Sequence, residues 1–156
     1  MNSMNVIPAQ NVTVKQEFEC VYFLQSSERQ KIDINAHRYR VEVSVRRIDG
    51  VYNRIVEFSE LQEILKSVLP DGKYLYSSEN NDTPYMIGTL LKNTDNSDCT
   101  IKVKFVLCAE NICNWIAQNL QEKLDLNYAK KLEVTDVVLR ENSQCFVNWH
   151  RVENKE

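Results

Sequence analysis

Apolar and polar residues alternate strictly between Ala36 and Arg47, the most regular pattern in the chain. One set of positions contains His37, Tyr39, Val41, Val43 and Val45. The other contains Arg38, Arg40, Glu42, Ser44 and Arg46. This two-residue period is typical of a β-strand with one buried and one solvent-exposed face. The turn-forming pair Asp49-Gly50 then predicts a reversal, followed by a short strand at Ile55 and Val56.

The pattern changes to that of a helix after Ser59. Apolar residues recur at helical spacing at Leu61, Ile64, Leu65, Val68 and Leu69. Ser59-x-x-Gln62 matches a capping box and predicts that the helix begins at Ser59. Pro70-Asp71-Gly72 predicts its end, because proline cannot continue the hydrogen-bond ladder and Asp-Gly favours a turn.

Shorter patterns of the same two kinds predict the remaining elements. Alternation over residues 12–24 predicts a first strand that pairs antiparallel with the central strand. Helical spacing predicts a second helix from Ala109 to Leu124. Residues 73–107 are expected to contain an inserted hairpin, with strands at 85–92 and 101–107. Two further strands, at 131–140 and 145–152, close the chain.

This order of elements predicts an α+β fold, with an antiparallel sheet, two helices on one of its faces and an inserted hairpin. We expect residues 1–10 to be a flexible leader. Residues 11–156 are expected to form one domain, since a chain of 156 residues is of ordinary size for a single core.

Composition and charge exclude several classes of function. A net charge of -3 provides no general attraction to nucleic acid or to an anionic membrane. No run approaches the roughly 20 apolar residues of a membrane span. The N-terminus lacks the basic and apolar regions of a secretion signal, so a cytoplasmic location is expected. The five cysteines include no Cys-x-x-Cys pair and are interpreted as free thiols.

The central stretch also resembles the 6-pyruvoyl-tetrahydropterin synthase family, which includes the 6-carboxytetrahydropterin synthases of queuosine biosynthesis. The resemblance rests on His-x-Tyr-x-Val-x-Val-x-Val from His37 and on Val-x-Phe-Ser-x-Leu-x-x-Ile-Leu from Val56. Residues 18–24 resemble the family's first strand, and Glu110-Asn111-Ile112 with Trp115 resembles the start of its second helix. Leu139-Arg140-Glu141 resembles the end of its penultimate strand. These segments follow in the family's order over residues 12–152.

Membership of this family would imply the tunnelling fold, or T-fold. In that fold subunits pair their sheets into barrels, and trimers stack into hexamers with active sites between subunits. The resemblance also implies a zinc ion held by three histidines, one closing the first strand and two from a His-Gly-His motif. A cysteine base, an Asp-His pair after the first helix and a glutamate that anchors the pterin complete the family's site.

Most of these residues are changed in this chain. Leu24 and Asn35 stand at two of the zinc-ligand positions, and only His37 remains; the whole chain contains two histidines. Lys31 stands at the cysteine position, and Asp71-Gly72 stands where the family has Asp-His. Because a zinc site needs at least three protein ligands, we expect no zinc and no other cofactor. The family's reaction would then lack its Lewis acid.

Glu141 is retained at the position of the pterin anchor. A carboxylate suits the edge of a pterin or guanine-like ring, because its two oxygens match a ring N–H and the exocyclic amine. Cys108 and Glu110, at the start of the second helix, are further candidates for ligand binding. Alternatively, Glu141 is only a turn residue at a strand end, and His37 is only a packed residue.

Three hypotheses for the function remain open. In the first, the protein is a degenerate family member that keeps the T-fold, assembles as a trimer or hexamer and binds a pterin- or purine-like ligand without zinc chemistry. In the second, it is a lyase with a zinc-independent mechanism, for which Lys31, Asp33 and Asp71 are the catalytic candidates. In the third, it is an oligomeric protein-interaction module that uses the inserted segment. Metal analysis separates the first two, and ligand copurification separates the first from the third.

Overall fold

Six strands and two helices make up the described part of the chain. The computed structural model describes residues 11–25, 32–49, 55–77 and 99–152. In chain order the elements are β1 (Asn11–Gln25), β2 (Ile32–Arg47), α1 (Phe58–Val68), β3 (Lys73–Ser77), β4 (Thr100–Val103), α2 (Ala109–Tyr128), β5 (Leu132–Arg140) and β6 (Phe146–His150). The predicted leader at 1–10 and the predicted strand at 85–92 lie outside the described residues.

β1 and β2 form a long antiparallel hairpin at the centre of the sheet. They pair along their whole length, from Asn11 opposite Arg46 to Gln25 opposite Ile32. The predicted alternation of β2 is confirmed, because its fully buried residues are Tyr39, Val41, Val43 and Val45. Arg38 and Arg40 between them are exposed. Since successive side chains of a strand point to opposite faces, the hairpin determines which face of the sheet holds the core.

The strands form one sheet in the order β4-β3-β1-β2-β5-β6. β5 pairs antiparallel with β2, and β6 pairs antiparallel with β5. β3, however, runs parallel to β1, and β4 runs parallel to β3. β3 follows β2 and α1 in the chain and runs antiparallel to β2, which gives it the same direction as β1. The predicted α+β class is confirmed, and the sheet is mixed rather than wholly antiparallel.

The two helices pack against the same face of the sheet and against each other. α1 contributes Leu61 and Leu65 to the core. α2 contributes a longer buried stripe: Ile112, Cys113, Ile116, Ala117, Leu120 and Leu124. Both stripes follow the helical spacing expected from the sequence. No helix in the described ranges is both long and apolar enough to cross a membrane.

Three predicted details at the ends of the helices are wrong. Residues 55–57 form no strand, although Val56 is buried, because they lead directly into α1. α1 begins at Phe58 after Glu57, with no side-chain cap, so Ser59 and Gln62 form no capping box. Instead, the Gln62 amide points to the Lys15 carbonyl at 3.5 Å. α2 runs four residues past Leu124 to Tyr128, and left-handed residues Ala129 and Lys130 end it.

The segment predicted as an inserted hairpin differs from expectation where it is described. Residues 73–77 form β3, which the sequence patterns did not predict. The strand predicted at 101–107 is β4 and ends at Val103. β3 and β4 pair in parallel. The predicted hairpin would pair β4 with residues 85–92, which lie outside the described residues, so the hairpin stays a prediction. Ser77 is fully buried, and its hydroxyl donates to the Phe105 carbonyl at 2.6 Å, which fixes the end of β3.

The face of the sheet away from the helices is covered by ion pairs. Arg38 binds Glu19 at 2.7 Å, and Arg40 binds Glu17 at 3.1 Å, each across the β1–β2 pair. Arg46 binds Glu133 at 2.8 Å between β2 and β5. The arginines of β2 therefore belong to a balanced network of charges and do not form a basic patch.

Candidate functional site

The candidate site lies on the helix-covered face of the β1–β2 hairpin, around His37. The register places Cys20 directly opposite His37 and Tyr22 directly opposite Asn35. Tyr39 follows on the same face of β2, with its ring 5.6 Å from that of His37 in an edge-on arrangement. The Tyr39 ring also stacks on the Phe18 ring, with 5.3 Å between the two ring centroids. The hairpin thus surrounds one histidine with aromatic and thiol side chains.

The two tyrosines of this cluster are buried and uncharged. Burial is the largest cause that raises the pKa of Tyr22; the Tyr39 hydroxyl opposes it, and the Glu141 charge adds to it. Burial also raises the pKa of Tyr39, with contributions from Tyr22, Cys20 and Glu141. The hydroxyls of Tyr22 and Tyr39 lie close enough together that each acts on the pKa of the other. The amide nitrogen of Asn35 is buried and has no hydrogen-bond partner among the described residues.

Glu141 follows the end of β5, in a turn that is held by hydrogen bonds between its own residues. The Glu141 N–H donates to the Cys145 carbonyl at 3.0 Å. The Asn142 side-chain oxygen accepts from the N–H groups of Gln144 and Cys145 at 2.8 and 2.9 Å. Glu141 is half-buried, and its charge influences both tyrosines of the cluster. It lines a cleft of about 270 Å³ together with residues of β1, β2 and β5.

Cys108 belongs to the same cluster, whereas Glu110 lies at its rim. Cys108 is the residue just before α2, in extended conformation, and its carbonyl accepts the first helical hydrogen bond, from Ile112, at 3.0 Å. Burial raises the pKa of the Cys108 thiol, although the Asn111 amide opposes this effect. Cys108 in turn contributes to raising the pKa of Tyr22. Glu110 is exposed in the first turn of α2.

Asp71 has a structural role at the junction of β1 and β3. Its carboxylate accepts the Glu19 N–H at 2.9 Å, and the Gly72 N–H donates to the Glu19 carbonyl at 2.7 Å. Gly72 adopts φ +70°, a conformation that favours glycine. The Asp71 charge is the second cause, after burial, that raises the pKa of Cys20 to about 12. A cleft of about 370 Å³ next to this junction is lined by residues that include Cys20, His37 and Gly72.

Two of the predicted catalytic candidates cannot be placed in this cluster. Lys31 lies outside the described residues. Asp33 belongs to β2, where its backbone pairs with that of Leu24, but the described side chains do not include either residue. Of the predicted candidates, Glu141 and Cys108 both contribute to raising the pKa of Tyr22, and Asp71 contributes to raising that of Cys20.

The donor set around His37 does not fit zinc. Asn35 presents a buried amide nitrogen, which is a hydrogen-bond donor and not a lone-pair ligand. The Cys20 thiol lies opposite His37, but these two side chains together offer fewer donors than the three or more that zinc needs. Among the described residues, no three side chains of histidine, cysteine, aspartate or glutamate are grouped to hold a metal ion.

Sequence reasoning missed Cys20, Tyr22 and Tyr39 as members of the site. The alternation along β1 places Cys20 and Tyr22 on the buried face, and that signal was available. Which residue of β2 each one faces depends on the hairpin register, which periodicity alone does not determine.

Comparison with known proteins agrees with the architecture. The solved structure of 6-pyruvoyl tetrahydropterin synthase from Plasmodium falciparum matches with a TM-score of 0.64 and 19% identity, over 92% of this chain and 99% of that one. The Plasmodium vivax enzyme matches with a TM-score of 0.63 and 19% identity, over the same shares. An uncharacterized protein from Wolinella succinogenes matches with a TM-score of 0.64 and 12% identity, over 92% and 100%. At these identities the likeness concerns the fold.

These matches define the class of the protein as a pterin-synthase-like α+β fold. The family-wide sequence model of 6-pyruvoyl tetrahydropterin synthase matches residues 11–151. The chain therefore belongs to the 6-pyruvoyl tetrahydropterin synthase family. No curated protein matches the sequence closely enough to indicate a more specific relative.

Proposed function

We propose that this protein binds the N–H edge of a pterin- or guanine-like ring through Glu141, as a family member that does not perform the zinc-dependent reaction. The main support is the state of the Glu141 carboxylate. It is half-buried beside Tyr22 and Tyr39, and no residue of the described ranges forms a hydrogen bond or ion pair with it. Within the described ranges the carboxylate is therefore free to accept hydrogen bonds from a ligand.

The nearest arginine in sequence does not neutralise Glu141. The Arg140 guanidinium binds Glu42 at 3.3 Å and stacks over the Phe146 ring at 4.7 Å. Successive residues of a strand point to opposite faces, so the Arg140 side chain shares the face of Arg40 and Glu42, opposite to that of Tyr39. The carboxylate therefore remains available to two parallel N–H donors. Each charge-assisted bond of this kind contributes on the order of 1.5–3 kcal/mol.

The absence of zinc chemistry is the second part of the proposal. It rests on the small number of metal ligands near His37, whose neighbours on the same face are Asn35, Cys20 and the two tyrosines. The hypothesis of a zinc-independent lyase has less support, because Asp71 already accepts the Glu19 N–H in a structural contact. A trimeric or hexameric assembly is part of the same proposal and is argued below from the edges of the sheet.

Calorimetric titration of pterin and guanine into the wild-type protein and Glu141→Gln tests this proposal. The amide places a donor opposite a ligand donor, so the affinity is expected to fall by about ten-fold or more, a change of about 1.4 kcal/mol. Glu122→Gln is the matched control, since Glu122 is exposed on α2 and its charge change is the same. It is expected to bind as the wild type does.

Two results would contradict the proposal. One is the lack of binding of either ring compound to the wild type below millimolar concentration. The other is equal binding by wild type and Glu141→Gln, which would leave Glu141 as a residue of the β5–β6 turn only.

A further inference from the structure

No further inference is drawn: the strongest candidate, the cleft at the end of β5 in which Arg38, Arg40 and Arg140 lie beside Glu141, belongs to the candidate site already described, and each of these guanidiniums is already paired with a glutamate.

Discussion

At the scale of single residues, the environment of His37 decides what chemistry the site can perform. Cys20, Tyr22 and Asn35 surround it with groups that remain protonated or that donate hydrogen bonds. A metal ion needs lone pairs from several such positions at once. One imidazole among these neighbours offers a metal ion fewer ligands than it needs.

We predict that protein purified without chelators contains far less than one zinc ion per chain. The physical reason is the ligand count, because zinc needs at least three protein donors and His37 alone remains at the positions implied by the resemblance. Elemental analysis by mass spectrometry, with the buffer as the blank, measures the metal content. About one zinc per chain after dialysis would contradict the prediction.

We also predict that Cys20 and Cys113 resist alkylation in the folded protein, whereas Cys145 reacts quickly. Thiol reactivity requires the thiolate and access to solvent. Cys145 is exposed, whereas burial raises the pKa of Cys20 to about 12 and that of Cys113 to about 11. Peptide mapping after brief iodoacetamide treatment at pH 8 measures the labelling of each site, with urea-unfolded protein as the control. Equal labelling of Cys20 and Cys145 in the folded protein would show that β1 is not packed as described.

At the scale of elements, the connection from α1 to β3 determines that β3 runs parallel to β1. Asp71 and Gly72 together satisfy the N–H and the carbonyl of Glu19, at the point where β3 joins the sheet. β1 and β3 then pair over only Cys20, Val21 and Tyr22. Because this ladder of hydrogen bonds is short, its stability depends strongly on the contacts of Asp71 and Gly72 with Glu19, which precede it.

Asp71→Ala is expected to lower the free energy of unfolding by about 1 kcal/mol, because the Glu19 N–H loses its acceptor. Asp71→Asn is the matched control, since its side-chain oxygen can still accept this N–H, and it should lose much less stability. Urea unfolding monitored by circular dichroism measures the difference. If the asparagine variant is destabilised as much as the alanine variant, the charge of Asp71 and not its hydrogen bond is what matters.

At the scale of the whole molecule, the sheet has two complementary open edges among the described residues. β3 covers β1 only from Cys20 onwards, so the N–H and carbonyl groups of Asn11, Thr13 and Glu17 face away from β2 without a strand beside them. β6 has a neighbouring strand on one side only, and Phe146 on it is 50% exposed. The open edge of β6 and the uncovered part of β1 differ from each other, so copies of the chain can join head to tail through them, and such contacts close into a ring when the rotation allows.

We predict that the protein is a trimer or hexamer in solution and that Asn148→Pro shifts it towards the monomer. The Cys145 carbonyl and the Arg151 N–H form hydrogen bonds towards β5. Because successive residues of a strand direct their backbone N–H and carbonyl groups to opposite sides, the Asn148 N–H points away from β5, to the open edge of β6. Proline removes that donor without removing a β5–β6 hydrogen bond. Light scattering at micromolar concentration measures the mass, with Asn148→Ala as the control. A monomeric wild type would contradict the predicted assembly, and an unchanged mass of the proline variant would exclude this edge as the contact.

Periodicity in the sequence by itself determined the two faces of β2, the apolar stripes of α1 and α2, and the position of Glu141 after β5. These features depend on residues a few positions apart, so local spacing is enough to predict them. Only the tertiary structure decided that Tyr22 faces Asn35, that Glu141 and Cys108 come close enough to act on the pKa of Tyr22, and that β3 runs parallel to β1. It also decided that α1 begins at Phe58 without the predicted capping box. Hairpin register and strand order depend on contacts between residues far apart in the chain, and no local pattern contains that information.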